Sequence, residues 1–153
     1  MKFHPIVLAA ALLAPGASFA AADTNSSGAP VDPFLERAAQ ASERKDWAGA
    51  QAILRDAVAQ NPGNPEYHNM YAYNLRKGPS PDMSLVFRHY NEALRIDPKH
   101  KGANEYLGEA YLMVGNVAKA KEQLGVLDKI CFLSCKEYTE LKNSIAAYEA
   151  KGK

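Results

Sequence analysis

Two stretches of the chain, "VAQNPGN" around Pro62 and "LRIDPKH" around Pro98, repeat one local grammar: a helix end, a polar residue, a proline, a turn. Counting back from each proline reaches a small residue, Ala57 and Ala93, and then a bulky one, Leu54 and Tyr90. The register divides the chain into Val31–Asn64, Pro65–His100 and Lys101–Ser134, units of 34, 36 and 34 residues. A repeat of this length constrains the fold more than any single motif does. Each unit is too small to bury its own apolar face, so successive units must stack into a solenoid with a continuous core.

The units read as helical. No alternating β-branched run occurs, and alanine, leucine, glutamate and lysine dominate. Asp32-Pro33 and Asn64-Pro65 each place a capping side chain before a proline suited to the first helical position. Ser80-Pro81 offers a third such start.

Leu107, Gly108 and Tyr111, followed by Ala120 and Leu124, carry the repeat best in the third unit. The second unit has Tyr71, Ala72 and Leu75, then Tyr90, Ala93 and Pro98, and the first has Ala38 and Ala41, then Ala50, Leu54, Ala57 and Pro62. On these residues the chain resembles the tetratricopeptide repeat family, whose unit is two antiparallel helices with the pattern W-x2-L-G-x2-Y, then A-x3-F, A and P. The resemblance implies an all-α, right-handed α-solenoid of three tandem helix-turn-helix repeats. It also explains Gly108, whose place inside a helix costs about 1 kcal/mol against alanine. Gly108 and Ala120 are expected where the helices of a pair cross, with Ala38 and Ala72 in the slot of Gly108.

Three departures stand out. The family's first-helix tryptophan position holds Phe34, His68 and Asn104, while Trp47 begins the second helix of unit one. Val86 fills a slot that is normally small, and "KGPSPDMS" adds two residues to unit two. A longer turn and a slightly wider helix pair are expected there.

Beyond the third unit, Tyr138, Leu141, Ile145 and Tyr148 recur at i, i+3, i+7 and i+10, the stripe of one further helix over 135–150. It would cap the open end of the stack. Ser134 with Glu137 reads as a capping box that starts this helix at Cys135. Cys131 and Cys135 flank the preceding turn. Within a continuous helix, residues four apart have Cβ atoms too distant for a disulfide, but a turn removes that limit. A structural disulfide pinning the cap to the last repeat is the first expectation. Thiol exchange by Cys135 at a helix N-terminus, or a soft-metal site with Met113 or His100, stays open beside it.

The N-terminus has Lys2, an apolar run from Ile6 to Leu13, a Pro15-Gly16 break and then small residues. This is the layout of a signal peptide over 1–22, cut after Ala20 or Ala22, with a polar leader over 23–30. A periplasmic or secreted protein is expected, without an integral membrane segment after cleavage, and export favours paired cysteines. The chain has 18 basic and 17 acidic residues, and losing Lys2 balances the signs. That argues against broad electrostatic binding to nucleic acid or anionic membrane. His68, His89 and His100 are scattered, His68 at a core position, His89 on an exposed face and His100 in a turn. No phosphate loop, H-E-x-x-H or G-x-S-x-G occurs, so no enzyme and no cofactor is expected.

The family resemblance implies that peptides or protein surfaces bind in the concave groove lined by the first helix of each pair. By repeat phase those positions are Leu35, Glu36, Ala39 and Glu43 in unit one, and Asn69, Met70, Tyr73, Arg76 and Lys77 in unit two. Unit three supplies Glu105, Tyr106, Glu109, Leu112 and Met113. Two tyrosines and two methionines beside both charge signs suit recognition. The subtype that clamps a C-terminal carboxylate uses lysine, asparagine and arginine at five groove positions. Those positions here hold Leu35, Ala39, Met70, Gly102 and Tyr106, so the clamp is absent. The expected function is an exported protein-interaction module with a protein or peptide partner. The alternative is a metal- or thiol-handling accessory protein using Cys131 and Cys135.

Overall fold

The structure is a computed structural model and describes residues 31–152. The expected signal peptide and leader, 1–22 and 23–30, lie outside the described residues. Seven helices follow one another: α1 (Pro33–Glu43), α2 (Trp47–Gln60), α3 (Pro65–Lys77), α4 (Met83–Ile96), α5 (Lys101–Met113), α6 (Val117–Ile130) and α7 (Lys136–Lys151). The described residues contain no strand, and the fold is an α-solenoid of three helix pairs closed by α7. No helix among them is long and apolar enough to cross a membrane.

Local sequence explains most of the helix starts. Asp32 accepts from the backbone N–H groups of Phe34 and Leu35, Asn64 from those of Glu66 and Tyr67, and each is followed by a proline. Ser80-Pro81 does not start a helix. Asp82 caps α4 instead, through Ser84 and Leu85, and Ser80-Pro81 belongs to the turn. That turn is longer than those of the other two pairs, yet α3 and α4 pack as closely as any pair. Val86 does not widen it, being fully buried beside Ala72, Tyr90, Leu107 and Ala110.

Small residues bring the helices together. Ala38, Ala50, Ala57, Ala72, Ala93, Ala110 and Ala120 are wholly inaccessible. Gly108 is buried as well, but its close neighbour is on α7 rather than on α6. A Cβ at Gly108 would lie 2.5 Å from Cδ2 and 2.7 Å from Cδ1 of Leu141. Leu141 and Ile145 of α7 complete a core with Leu112, Ala120, Leu127 and Cys131, against which Tyr138 is packed, while Tyr148 stays outside it, 39% exposed.

Cys131 and Cys135 form a disulfide that joins the C-cap of α6 to the N-cap of α7. The expected capping box is not made. α7 begins at Lys136, and its N-cap Cys135 provides no side-chain cap. Leu133 and Ser134 have left-handed φ angles of 59° and 73°, and the Ser134 hydroxyl lies 3.4 Å from Thr139 Oγ1 in the first turn of α7. Phe132 and Leu133 project from this bridged turn, 90% and 86% exposed.

Candidate partner-binding groove

The first helices of successive pairs touch, α1 with α3, α3 with α5, and α5 with α7. Their shared outer surface is where the sequence placed its candidate residues. The structure divides those residues into an exposed layer and a buried layer beneath it.

At the groove surface lie Tyr73 and Tyr106, both half-buried, from adjacent first helices. Their rings are 5.0 Å apart and tilted by 45°. The Arg76 guanidinium carbon stands 5.8 Å from the Tyr73 ring and 5.7 Å from that of Tyr106, within cation–π range of both. Lys77, exposed, brings its ammonium to 6.0 Å from the Tyr73 ring. Burial pushes the Tyr106 phenol up to about 12, with the acidic groups around it adding to the effect. It therefore stays protonated at neutral pH and can donate.

Arg76 belongs to the buried layer, contrary to its expected place on the groove surface. Only 8% exposed, it donates from its terminal nitrogen to Glu109 Oε2 at 2.6 Å and from Nε to the Tyr90 hydroxyl at 3.3 Å. Glu109 also accepts from Ser144 Oγ at 3.3 Å. Tyr90, Arg76, Glu109 and Ser144 therefore connect α4, α3, α5 and α7 in one chain of polar contacts. Burial opposes the Arg76 charge, but attraction to Tyr90 and Glu109 and their hydrogen bonds outweigh it, raising its pKa. Arg76 is the fixed base of the tyrosine pair.

Asn69 and Glu105 are buried too, and neither presents a free side chain to the groove. Asn69 Nδ2 lies 3.4 Å from both Glu66 carboxylate oxygens, while its Oδ1 has no protein partner. Burial pushes the Glu105 carboxyl up to about 8, with a hydrogen bond to Glu140 and the charges of Glu140, Glu109 and Glu137 adding to the effect. Its surroundings thus favour the protonated carboxyl. Leu112 turns into the core between α5, α6 and α7 and is not a groove residue. Met113 closes α5 and is 52% exposed.

An open cavity of about 500 Å³ borders the tyrosine pair where the N-terminal ends of α3, α5 and α7 converge. Asn69, Met70 and Tyr106 line it with Gly102, Glu137 and the Glu66–His100 ion pair, in which Nε2 is 2.7 Å from Oε2. The cavity thus joins groove residues of units two and three. From unit one, Glu36 and Glu43 are exposed and Leu35 and Ala39 half-buried, but none of them lines the cavity.

The histidines differ from their expected arrangement. His100 is the N-cap of α5, its Nδ1 accepting from the Ala103 amide. His89 is half-buried rather than exposed, and it is paired: its Nδ1 is 2.9 Å from His68 Nδ1. No group of three or more His, Cys, Asp or Glu side chains among the described residues could hold a metal ion.

No family model matches the chain, and no curated protein matches it. Solved structures do resemble it. One is the type III secretion translocator chaperone SycD of Yersinia enterocolitica in an alternative dimer, with a TM-score of 0.66 at 14% identity, covering 78% of this chain and 92% of that one. A second SycD structure gives 0.65 at 13%, covering 78% and 83%. A third, SycD with a peptide of the translocator YopD, gives 0.65 at 13%, covering 78% and 92%. At such identities the likeness shows a shared helical fold.

Proposed function

We propose that this protein is an exported protein-interaction module that holds a peptide segment of a partner in the groove along α1, α3 and α5. The observation that carries the reading is the Tyr73–Tyr106 pair over the buried Arg76–Glu109 ion pair. Two aromatic faces on a base tied into four helices form a preorganised surface, so little ordering is needed when a partner docks. The pair suits an apolar or proline side chain of the partner, and the neighbouring cavity offers Tyr106, Glu137 and the Glu66–His100 pair as polar contacts. The SycD structure with a YopD peptide supports the reading, because a chaperone of this fold has been seen with a peptide partner.

Export, to the periplasm or the medium, rests on the signal-like N-terminal sequence. The reading is of a binding protein rather than an enzyme, since no catalytic motif occurs in the sequence. The alternative is metal or thiol handling through Cys131 and Cys135, whose sulfurs are bonded to each other and would need reduction before either bound a metal or attacked a disulfide.

Site-directed photocrosslinking in cells tests the proposal. A photoreactive residue at position 73 or 106 should yield one discrete adduct, and the same residue at exposed position 121 should not. Equal labelling at all three positions would overturn the groove assignment.

A further inference from the structure

We propose that the His68–His89 pair is an acid-sensitive latch. At neutral pH it ties α3 to α4 and to the α2–α3 turn, and acidification releases it.

The proton positions follow from the partners. His68 Nε2 is 3.0 Å from the Pro62 carbonyl oxygen, which can only accept, so Nε2 carries the hydrogen. A neutral imidazole has one N–H, so His68 Nδ1 is a lone pair. It faces His89 Nδ1 at 2.9 Å, and His89 must be the donor. The rings stack with centroids 5.2 Å apart and an interplanar angle of 24°, and the Tyr71 ring meets His89 edge-on at 4.7 Å. The neutral contact thus has one particular tautomer on each ring. One added proton keeps an N–H···N bond between the two Nδ1 atoms, with His89 carrying its hydrogen on Nε2, but a second proton, on His89, sets N–H against N–H and breaks the contact.

The surroundings bias His89 toward neutrality. His68 is 5% exposed. From α4, Arg88 and Glu92 face the site, and Pro62 contributes its carbonyl from the α2–α3 turn. Glu92 would welcome a cation, but Arg95 already holds both its oxygens, at 2.9 and 2.7 Å. Burial, with His68 and Arg88 adding repulsion, pushes the His89 imidazole down to about 4. A histidine whose folded pKa is depressed contributes stability that is complete above the unfolded value of 6.5. That contribution is lost as pH falls from 6.5 toward 4. His68 occupies the position where the tetratricopeptide pattern has tryptophan, which packs without titrating. A titrating pair there makes the docking of α3, and with it the position of Tyr73, depend on pH.

Two measurements on the mature protein test this. Imidazole ¹⁵N spectra should show His68 with Nε2 protonated and His89 with Nδ1 protonated at pH 7.5, with coupling across the Nδ1–Nδ1 contact. Hydrogen exchange in α3, corrected for intrinsic rates, should lose protection at least tenfold between pH 7 and 4.5, an order of magnitude consistent with the displacement of His89. In His89→Gln, which keeps an N–H donor but does not titrate, most of that loss should vanish. Carboxylates titrating in the same window are common to both proteins and drop out of the difference. An acid response unchanged in His89→Gln overturns the proposal. So does a wild-type spectrum in which both rings titrate independently near 6.5, a result that needs no variant to fold.

Discussion

Leu141 on the closing helix occupies the space that a side chain at Gly108 would need: a Cβ there would come within 2.5 Å of Leu141 Cδ2. The glycine therefore serves the docking of α7 on α5 more than the crossing of α5 and α6. Gly108→Ala should lower stability despite its better helix propensity. Overpacking costs about 1–3 kcal/mol, against roughly 1 kcal/mol gained from propensity. Gly108→Leu should be more damaging still. Adding Leu141→Ala to Gly108→Ala should recover part of the loss, giving a coupling of at least about 0.5 kcal/mol. Additive denaturation midpoints across that cycle would refute the contact.

The helical pairing was legible because it is written locally, in asparagine or aspartate before proline and in small residues at a fixed phase. What was illegible depends on distance along the chain. Gly108 signals only that something comes close, and Leu141 sits in a different helix. The histidines looked scattered because the crossing of α3 and α4 joins residues 21 apart. Arg76 falls on the groove phase, but its long side chain reaches under the tyrosines to Glu109, 33 residues away. The Ser134 capping box failed because Ser134 and its neighbour Leu133 adopt left-handed backbone within the disulfide loop. Motif spacing carries no information about that constraint.

Arg76→Ala should destabilise the fold by about 3 kcal/mol, because it strands Glu109 and the Tyr90 hydroxyl in a largely buried network. Arg76→Lys should recover little, since one ammonium cannot reproduce the fork to both partners. Urea midpoints of the two variants decide this. A wild-type midpoint in Arg76→Ala would mean the guanidinium is free in solution.

Reducing the Cys131–Cys135 bridge, or replacing both cysteines with serine, should cost about 2 kcal/mol by chain entropy for so short a loop. The loss should concentrate in α7, whose N-cap has no side-chain hydrogen bond to fall back on. Hydrogen exchange that accelerates in α7 while α1–α4 stay protected is the expected result. Partner capture should be unaffected.

Glu105 gives a pH response opposite in direction to that of His89. Its folded pKa of about 8 lies above the unfolded value of 4.5, so its contribution is fully present below 4.5 and is lost as pH rises toward 8. Glu105→Gln mimics the protonated form and should stabilise the protein at pH 8, by up to about 4 kcal/mol, with little change at pH 4.5. Thermal midpoints across this range measure it. A variant less stable than wild type at pH 8 would show that Glu105 is ionised and paired.

The tyrosine platform concentrates the groove's apolar contact in two touching residues, and that determines how its energy should distribute. Tyr73→Ala and Tyr106→Ala should each weaken partner binding by more than about 1 kcal/mol, as aromatic anchors at the centre of an interface do. The double variant should lose less than the sum, because each ring orders the other and either truncation already opens the platform. Arg55→Ala and Lys121→Ala, both exposed and away from the tyrosines, should change binding little. Circular dichroism must accompany each titration, since Tyr106 also packs against the core around Tyr90 and Leu107. Tyr73→Phe and Tyr106→Phe then separate ring from hydroxyl: retained affinity assigns the energy to stacking, and loss confined to Tyr106→Phe assigns it to the protonated phenol beside the cavity. Full affinity in the Tyr73→Ala, Tyr106→Ala double variant would place the partner elsewhere on the molecule.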